Sequence, residues 1–217
     1  MRFLVILSCI FLLFCTCDSA PSNGERDGAV VFLNYEQDQQ LLTTRMNLGL
    51  AGEAPITGVP TVYGSPLDSF TRQGVTTWQL RKNLNYPSVI PLEIPCGDAL
   101  CNRDVKLAPV FVDSFPNVID PKKDLQVAYG PEALTSSESL VFYFGPQDRS
   151  APEKIKLVGP TNSPVATLPS DALAKLKPGK YNVYLIKQQL KRDTTARLWT
   201  SIQAEYMTRT RLIEVAE

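Results

Sequence analysis

Leu176-Lys177-Pro178-Gly179-Lys180-Tyr181-Asn182-Val183-Tyr184-Leu185 is the stretch from which the fold is most directly read. It begins where the best local helix signal ends. Ser170-Asp171-Ala172-Leu173-Ala174-Lys175-Leu176 sets a serine cap before good helix formers, and Pro178-Gly179 stops them. The neighbouring segments carry strand periodicity. Lys154-Ile155-Lys156-Leu157-Val158 alternates polar and apolar residues, and Glu138 to Phe144 places Leu140, Phe142 and Phe144 on one side. Asp124 to Tyr129 and the short Pro164 to Leu168 are further strand candidates. Arg197 to Tyr206 and Thr208 to Ala216 read as two long C-terminal strands closing the sheet as a hairpin.

With these neighbours, the quoted stretch resembles the Leu-x-Pro-Gly-x-Tyr-x-Val segment of immunoglobulin-like and fibronectin type III-like sandwiches. The resemblance implies that Tyr181 is a corner tyrosine, its hydroxyl tied back to the preceding loop, and that Val183 and Leu185 enter a core. It covers roughly residues 120–217 and lacks the inter-sheet cysteines and strand-C tryptophan of antibody domains.

The first half is punctuated by proline and glycine between short apolar runs, again as strands are. Candidates are Ala29 to Tyr35, Thr44 to Leu50, Gly58 to Gly64, Gly74 to Leu80, Ser88 to Pro95 and Val105 to Asp113. In Ser88 to Pro95, Ile90, Leu92 and Ile94 share a face, while Pro91 and Pro95 are expected to confine the strand to a sheet edge. Phe115 to Asp124 carries two prolines and alternating charge and reads as a domain junction. The expected fold is all-β: two small β-sandwich domains, 29–117 and 118–217, the second Ig-like, after a signal peptide (1–16) and a flexible tether (17–28).

The leader rests on Arg2 followed by the apolar run Phe3 to Phe14. That run is too short to cross a bilayer, which takes roughly 20 apolar residues as helix, and matches a signal-peptide core. A cut after Ala20 would place Asp18 at the −3 position, whereas a cut after Cys17 leaves Cys15 and Cys17 at −3 and −1. A third reading is that Phe14-Cys15-Thr16-Cys17 resembles a bacterial lipobox, with Phe14 in place of the usual Leu. That resemblance implies lipidation of Cys17, which becomes the mature N-terminus. Several acyl chains, at about 0.8 kcal/mol per buried methylene, would then hold the domain on a membrane. Asp18 to Gly28 is polar and lacks apolar periodicity, as a tether or an ordinary frayed terminus does.

Composition narrows the chemistry. There is no histidine, which excludes Ser-His-Asp and Cys-His nucleophile systems and His-ligated metals. Without Arg2, 21 Lys+Arg stand against 22 Asp+Glu, so no charge excess calls for nucleic acid. Cys9, Cys15 and Cys17 belong to the leader region. Cys96 and Cys101, five apart around Gly97-Asp98, are expected to form a small disulfide loop in an exported chain, a redox pair being the alternative.

Carboxylate pairs are the catalytic chemistry left open. Asp113 and Asp120 flank Phe115-Pro116, and Asp120 and Asp124 bracket two lysines; turn capping is the competing role. Trp78, Tyr63 and Tyr86 in the first half, and Trp199 and Tyr206 in the second, are candidates for a sugar platform or for ordinary packing. The expected function is non-catalytic: a membrane-anchored envelope lipoprotein, at an outer membrane or else secreted, that binds an envelope protein or glycan. It needs no cofactor or metal. The alternatives are a subunit of a fimbria-like surface assembly and a secreted carboxylate-dependent glycosidase.

Overall fold

The computed structural model describes residues 27–49, 58–148, 150–195 and 197–217. Cys17, the lipobox-like stretch and all of the tether before Asp27 lie outside them. The first half contributes β1 (Asp27–Glu36), β2 (Leu41–Leu48), β3 (Thr61–Val62), β4 (Ser65–Pro66), β5 (Asp68–Arg72), β6 (Val75–Asn83), β7 (Val89–Cys96) and β8 (Ala99–Lys106). The second contributes β9 (Val118–Ile119), β10 (Leu125–Ala128), β11 (Glu138–Pro146), β12 (Glu153–Val158), β13 (Val165–Leu168) and α1 (Ser170–Leu173). It ends with β14 (Gly179–Thr194), β15 (Leu198–Met207) and β16 (Arg211–Val215). The protein is all-β and sandwich-like, with one short helix among the described residues.

A long sheet runs in the order β12-β11-β14-β15-β1-β2-β6-β5, with β16 added beside β14 and β9 beside β16. Smaller sheets, β4-β3-β7-β8 and β10-β13, complete the architecture. Period-two alternation explains which side faces in. Val31, Leu33 and Tyr35 on β1 and Ile90, Leu92 and Ile94 on β7 are buried, as are Leu140, Phe142 and Phe144 on β11 with Val183 and Leu185 on β14, all in one contiguous apolar cluster. Tyr35, Tyr86 and Tyr206 pack with ring centroids 5.6–6.0 Å apart and link β1, β15 and the segment before β7. Between β5 and β6 the two-residue turn Gln73-Gly74 takes positive φ at both positions, which matches the twist of the strands it joins.

The expected division between Asn117 and Val118 is crossed by main-chain pairing. β1 runs parallel to β15 from Asp27↔Leu198 to Glu36↔Met207, so a strand late in the sequence sits between β14 and the first described strand. The expected C-terminal hairpin is replaced by a different arrangement. β15 and β16 do not pair with each other; both pair with β14, β16 at Gly179–Val183 and β15 at Ile186–Thr194. The 16-residue β14 has room for both along one edge because β11 occupies the other.

Three further expectations are corrected. β7 lies inside its sheet and not at an edge. β3 is only two residues long and pairs with Leu92 and Glu93, so neither Pro91 nor Pro95 has to donate to it. The strand expected over Val105 to Asp113 ends at Lys106; beyond it Leu107, Val110 and Val112 are buried from irregular backbone interrupted by Pro109. α1 is a single turn capped by Pro169 without a side-chain bond, and the Ser170 N–H donates instead to Asp124 Oδ1 at 2.8 Å.

Candidate functional site

The residues singled out in the sequence fall in separate places. The Tyr181 hydroxyl donates to the Lys177 carbonyl at 2.9 Å, across the turn that precedes β14. Cys96 and Cys101 are bonded across the β7–β8 hairpin with Cα atoms 6.0 Å apart, and the Gly97 N–H at its tip donates to Asp27 Oδ2 at 2.6 Å. That contact ties the disulfide loop to the first described residue of the chain.

The candidate carboxylates are occupied elsewhere. Asp113 pairs with the Arg209 guanidinium, and its main-chain carbonyl accepts from Arg211 at 2.6 Å. Asp120 accepts from the Lys122 N–H at 3.0 Å and pairs with Lys123; the Lys122 amide first, then Lys123, hold its carboxyl below the usual range. Asp124 caps α1. Asp120 and Asp124 are therefore turn and cap residues in their local geometry, while Asp113 serves a long-range ion pair. The aromatic candidates do not form one platform. Trp78 packs against the core, and the Tyr86 hydroxyl donates to the Leu107 carbonyl. Tyr206 is buried within the tyrosine cluster, where burial, with Tyr35 and Tyr86 beside it, pushes its phenol up to about 12.

The most developed surface was not singled out in the sequence. It is the outer face of β15, β1, β2, β6 and β5, a concavity of about 900 Å³. The same alternation that buries Val31, Leu33 and Tyr35 turns Phe32, Asn34 and Glu36 outward. The antiparallel register then sets Thr43, Arg45 and Asn47 beside them, followed by Thr77, Gln79 and Arg81 from β6. Gln203 and Glu205 complete it on the parallel β15 side.

Hydrogen bonds order part of this face. Gln188 and Gln203 both donate to Glu205 Oε1 at 2.8 Å, and Ser139 donates to Gln188 at 3.3 Å. Asn34 donates to Glu36 Oε1 at 3.2 Å, and Thr77 to Asn47 at 2.9 Å. Asn34 Oδ1 is buried and has no hydrogen-bond partner among the described residues. Neither Arg45 nor Arg81 forms an ion pair with a described residue. Phe32 on β1 and Phe70 on the edge strand β5 are 42% and 49% exposed. Two guanidiniums, two carboxylates and several carboxamides and hydroxyls thus line a sheet face that no second layer of described residues covers. The volume is that of a ligand site, but the lining is far more polar than the apolar pockets that take drug-like molecules.

Among the described residues no cluster of three metal-ligating side chains occurs, and no helix is long and apolar enough to cross a membrane. No protein-family model matches the chain, and no curated protein matches it.

Proposed function

We propose that this chain is a non-catalytic binding module held at a membrane of the cell envelope by lipid on Cys17, and that it binds through the outer face of β15, β1, β2, β6 and β5. The observation that carries the reading is that face itself: concave, polar, and built from β15, β1, β2 and β6, whose opposite side packs on the core, with β5 exposed at its edge. Tyr181 and its bond to Lys177 support an Ig-like corner in the second half, with the long sheet as scaffold. The anchor side of the reading rests on Phe14-Cys15-Thr16-Cys17 and the polar stretch after it. That stretch leads into β1, which is paired along its length by β15 and β2, so a tether attached there pulls on a strand held on both sides.

A binding role is favoured over a catalytic one by the state of the two acids in the concavity. Glu205 is engaged by two carboxamides and Glu36 by one, an arrangement that orders a surface. A fimbria-like role through strand addition is disfavoured at the β12 edge, where exposed Lys154 and Lys156 oppose edge-to-edge pairing.

Two measurements test the reading. The intact mass of the N-terminal peptide from the native membrane fraction is expected to show acylated Cys17, and Cys17→Ala to release a protein with an unchanged unfolding midpoint. Hydrogen exchange of the purified chain with solubilised envelope material is expected to show protection confined to β1, β2 and β6. An unmodified terminus removes the anchor, and protection elsewhere removes the site.

A further inference from the structure

Resting on that binding face, we infer that its ligand is an uncharged oligosaccharide lying across the strands. Arg45 and Arg81 are balanced by Glu36 and Glu205, so the concavity presents no net charge to reward an anion or a cation. What it presents in quantity is paired donors and acceptors: the carboxamides of Asn34, Gln79 and Gln203 and the two guanidiniums. Planar groups of this kind meet the adjacent hydroxyls of a sugar two at a time. An apolar ligand would strip water from them without replacing it.

Asn34 Oδ1 has no hydrogen-bond partner among the described residues and almost no accessible surface, so turning its carboxamide toward the concavity would let a ligand hydroxyl satisfy an acceptor that otherwise costs stability. Exposed Phe32 and Phe70 add flat apolar surface for the C–H faces of sugar rings, with Arg45, Asn47, Thr77 and Gln79 between them by register. Register also fixes the geometry. Gln203, Phe32, Arg45 and Gln79 form one row, each directly opposite the next. Four strands at their usual spacing make that row about 14 Å long. A pyranose unit is about as long as one strand spacing, so the row offers one side chain per sugar over a short run of units.

The test is titration calorimetry of the full-length chain, purified in detergent, with cellohexaose, xylohexaose, mannohexaose and maltohexaose, and with hexagalacturonate as the anionic counterpart. Saturable heat is expected for a neutral hexaose, with affinity rising from disaccharide to tetrasaccharide and levelling off beyond. Arg45→Ala and Phe32→Ala, both at exposed positions, are expected to weaken it at least tenfold while leaving the unfolding midpoint unchanged. No saturable heat from any neutral hexaose overturns the inference, as does binding that both variants leave intact. Binding of hexagalacturonate alone also overturns it. If envelope material still protects β1, β2 and β6 in any of these cases, the binding face stands and only its ligand class falls. If that protection is absent too, the face falls with it.

Discussion

Thr208 and Leu185 are joined twice: the Leu185 N–H donates to the Thr208 hydroxyl at 2.9 Å, and the Thr208 N–H donates to the Leu185 carbonyl at 3.0 Å. Leu185 lies in β14 between the segment paired with β16 and the segment paired with β15, where the ladder has a gap. Both main-chain groups of Leu185 would be orphaned in that gap, and buried Thr208 satisfies both, one with its backbone and one with its side chain.

Thr208→Val keeps the shape and removes the acceptor. A buried N–H left without a partner costs about 1–3 kcal/mol, and the urea midpoint of the valine variant is expected to fall accordingly. Thr208→Ser retains the hydroxyl and is expected to lose much less. Equal midpoints for valine and wild type would show that the gap is satisfied in another way.

Glu138 and Lys187 form an ion pair facing the core side of the long sheet, at 2.9 Å with both side chains 7% exposed. Burial pushes the Glu138 carboxyl up, but the Thr135 amide at 2.8 Å and the Lys187 ammonium together outweigh it and hold it below its ordinary 4.5. A carboxyl lowered by folding stabilises the protein fully above its unfolded value, and that contribution disappears as pH falls through the folded value. The melting temperature of the wild type is therefore expected to drop more steeply below pH 4.5 than that of the Glu138→Gln/Lys187→Met double variant. At neutral pH, Lys187→Met alone strands the carboxylate and is expected to cost about 3–5 kcal/mol, the double variant considerably less. Parallel acid profiles would remove this pair as the source of acid sensitivity.

Local periodicity makes the strand character and the inward residues legible: Leu140, Phe142 and Phe144, like Ile90, Leu92 and Ile94, fall on one face by alternation alone, and all six are buried. Periodicity does not say which strands lie side by side. The parallel pairing of β1 with β15 joins residues as far apart as Asp27 and Leu198, and nothing in Ala29 to Tyr35 marks its partner. The concave face depends on that pairing. Phe32 and Asn34 on β1, Arg45 on β2 and Gln203 on β15 each read as the polar or unremarkable side of their own strand, and only the register brings the three strands together. The proline rule misplaced β7 for a related reason, since Pro91 and Pro95 are excluded only from positions that must donate, and a two-residue neighbour demands nothing of them.

Tyr181 is the reverse case, a role carried by a motif. Its ring is buried and its hydroxyl reaches Lys177 across the turn into β14. Tyr181→Phe deletes that one bond while keeping the packing. It is expected to lower stability by about 1 kcal/mol in urea unfolding, with no change in the slope of the transition. An unchanged midpoint would remove the hydroxyl from the account of how this turn is held.

The Cys96–Cys101 bond closes a very short loop, so it restricts the unfolded chain little; the chain-entropy relation gives about 2 kcal/mol for a separation of five. Reduction is therefore expected to lower the midpoint without unfolding the protein, because β7 and β8 remain paired from Val89↔Lys106 to Cys96↔Ala99. The local consequence is larger than the global one. The Gly97 N–H at the hairpin tip holds Asp27 at the start of β1, so loosening the tip frees that end of the strand. In hydrogen exchange under reducing conditions, amides near Asp27 and Gly97 are expected to lose protection before those at the centre of β7, around Leu92. Simultaneous loss at all three places would mean that the bond supports the whole sheet and not only its tip.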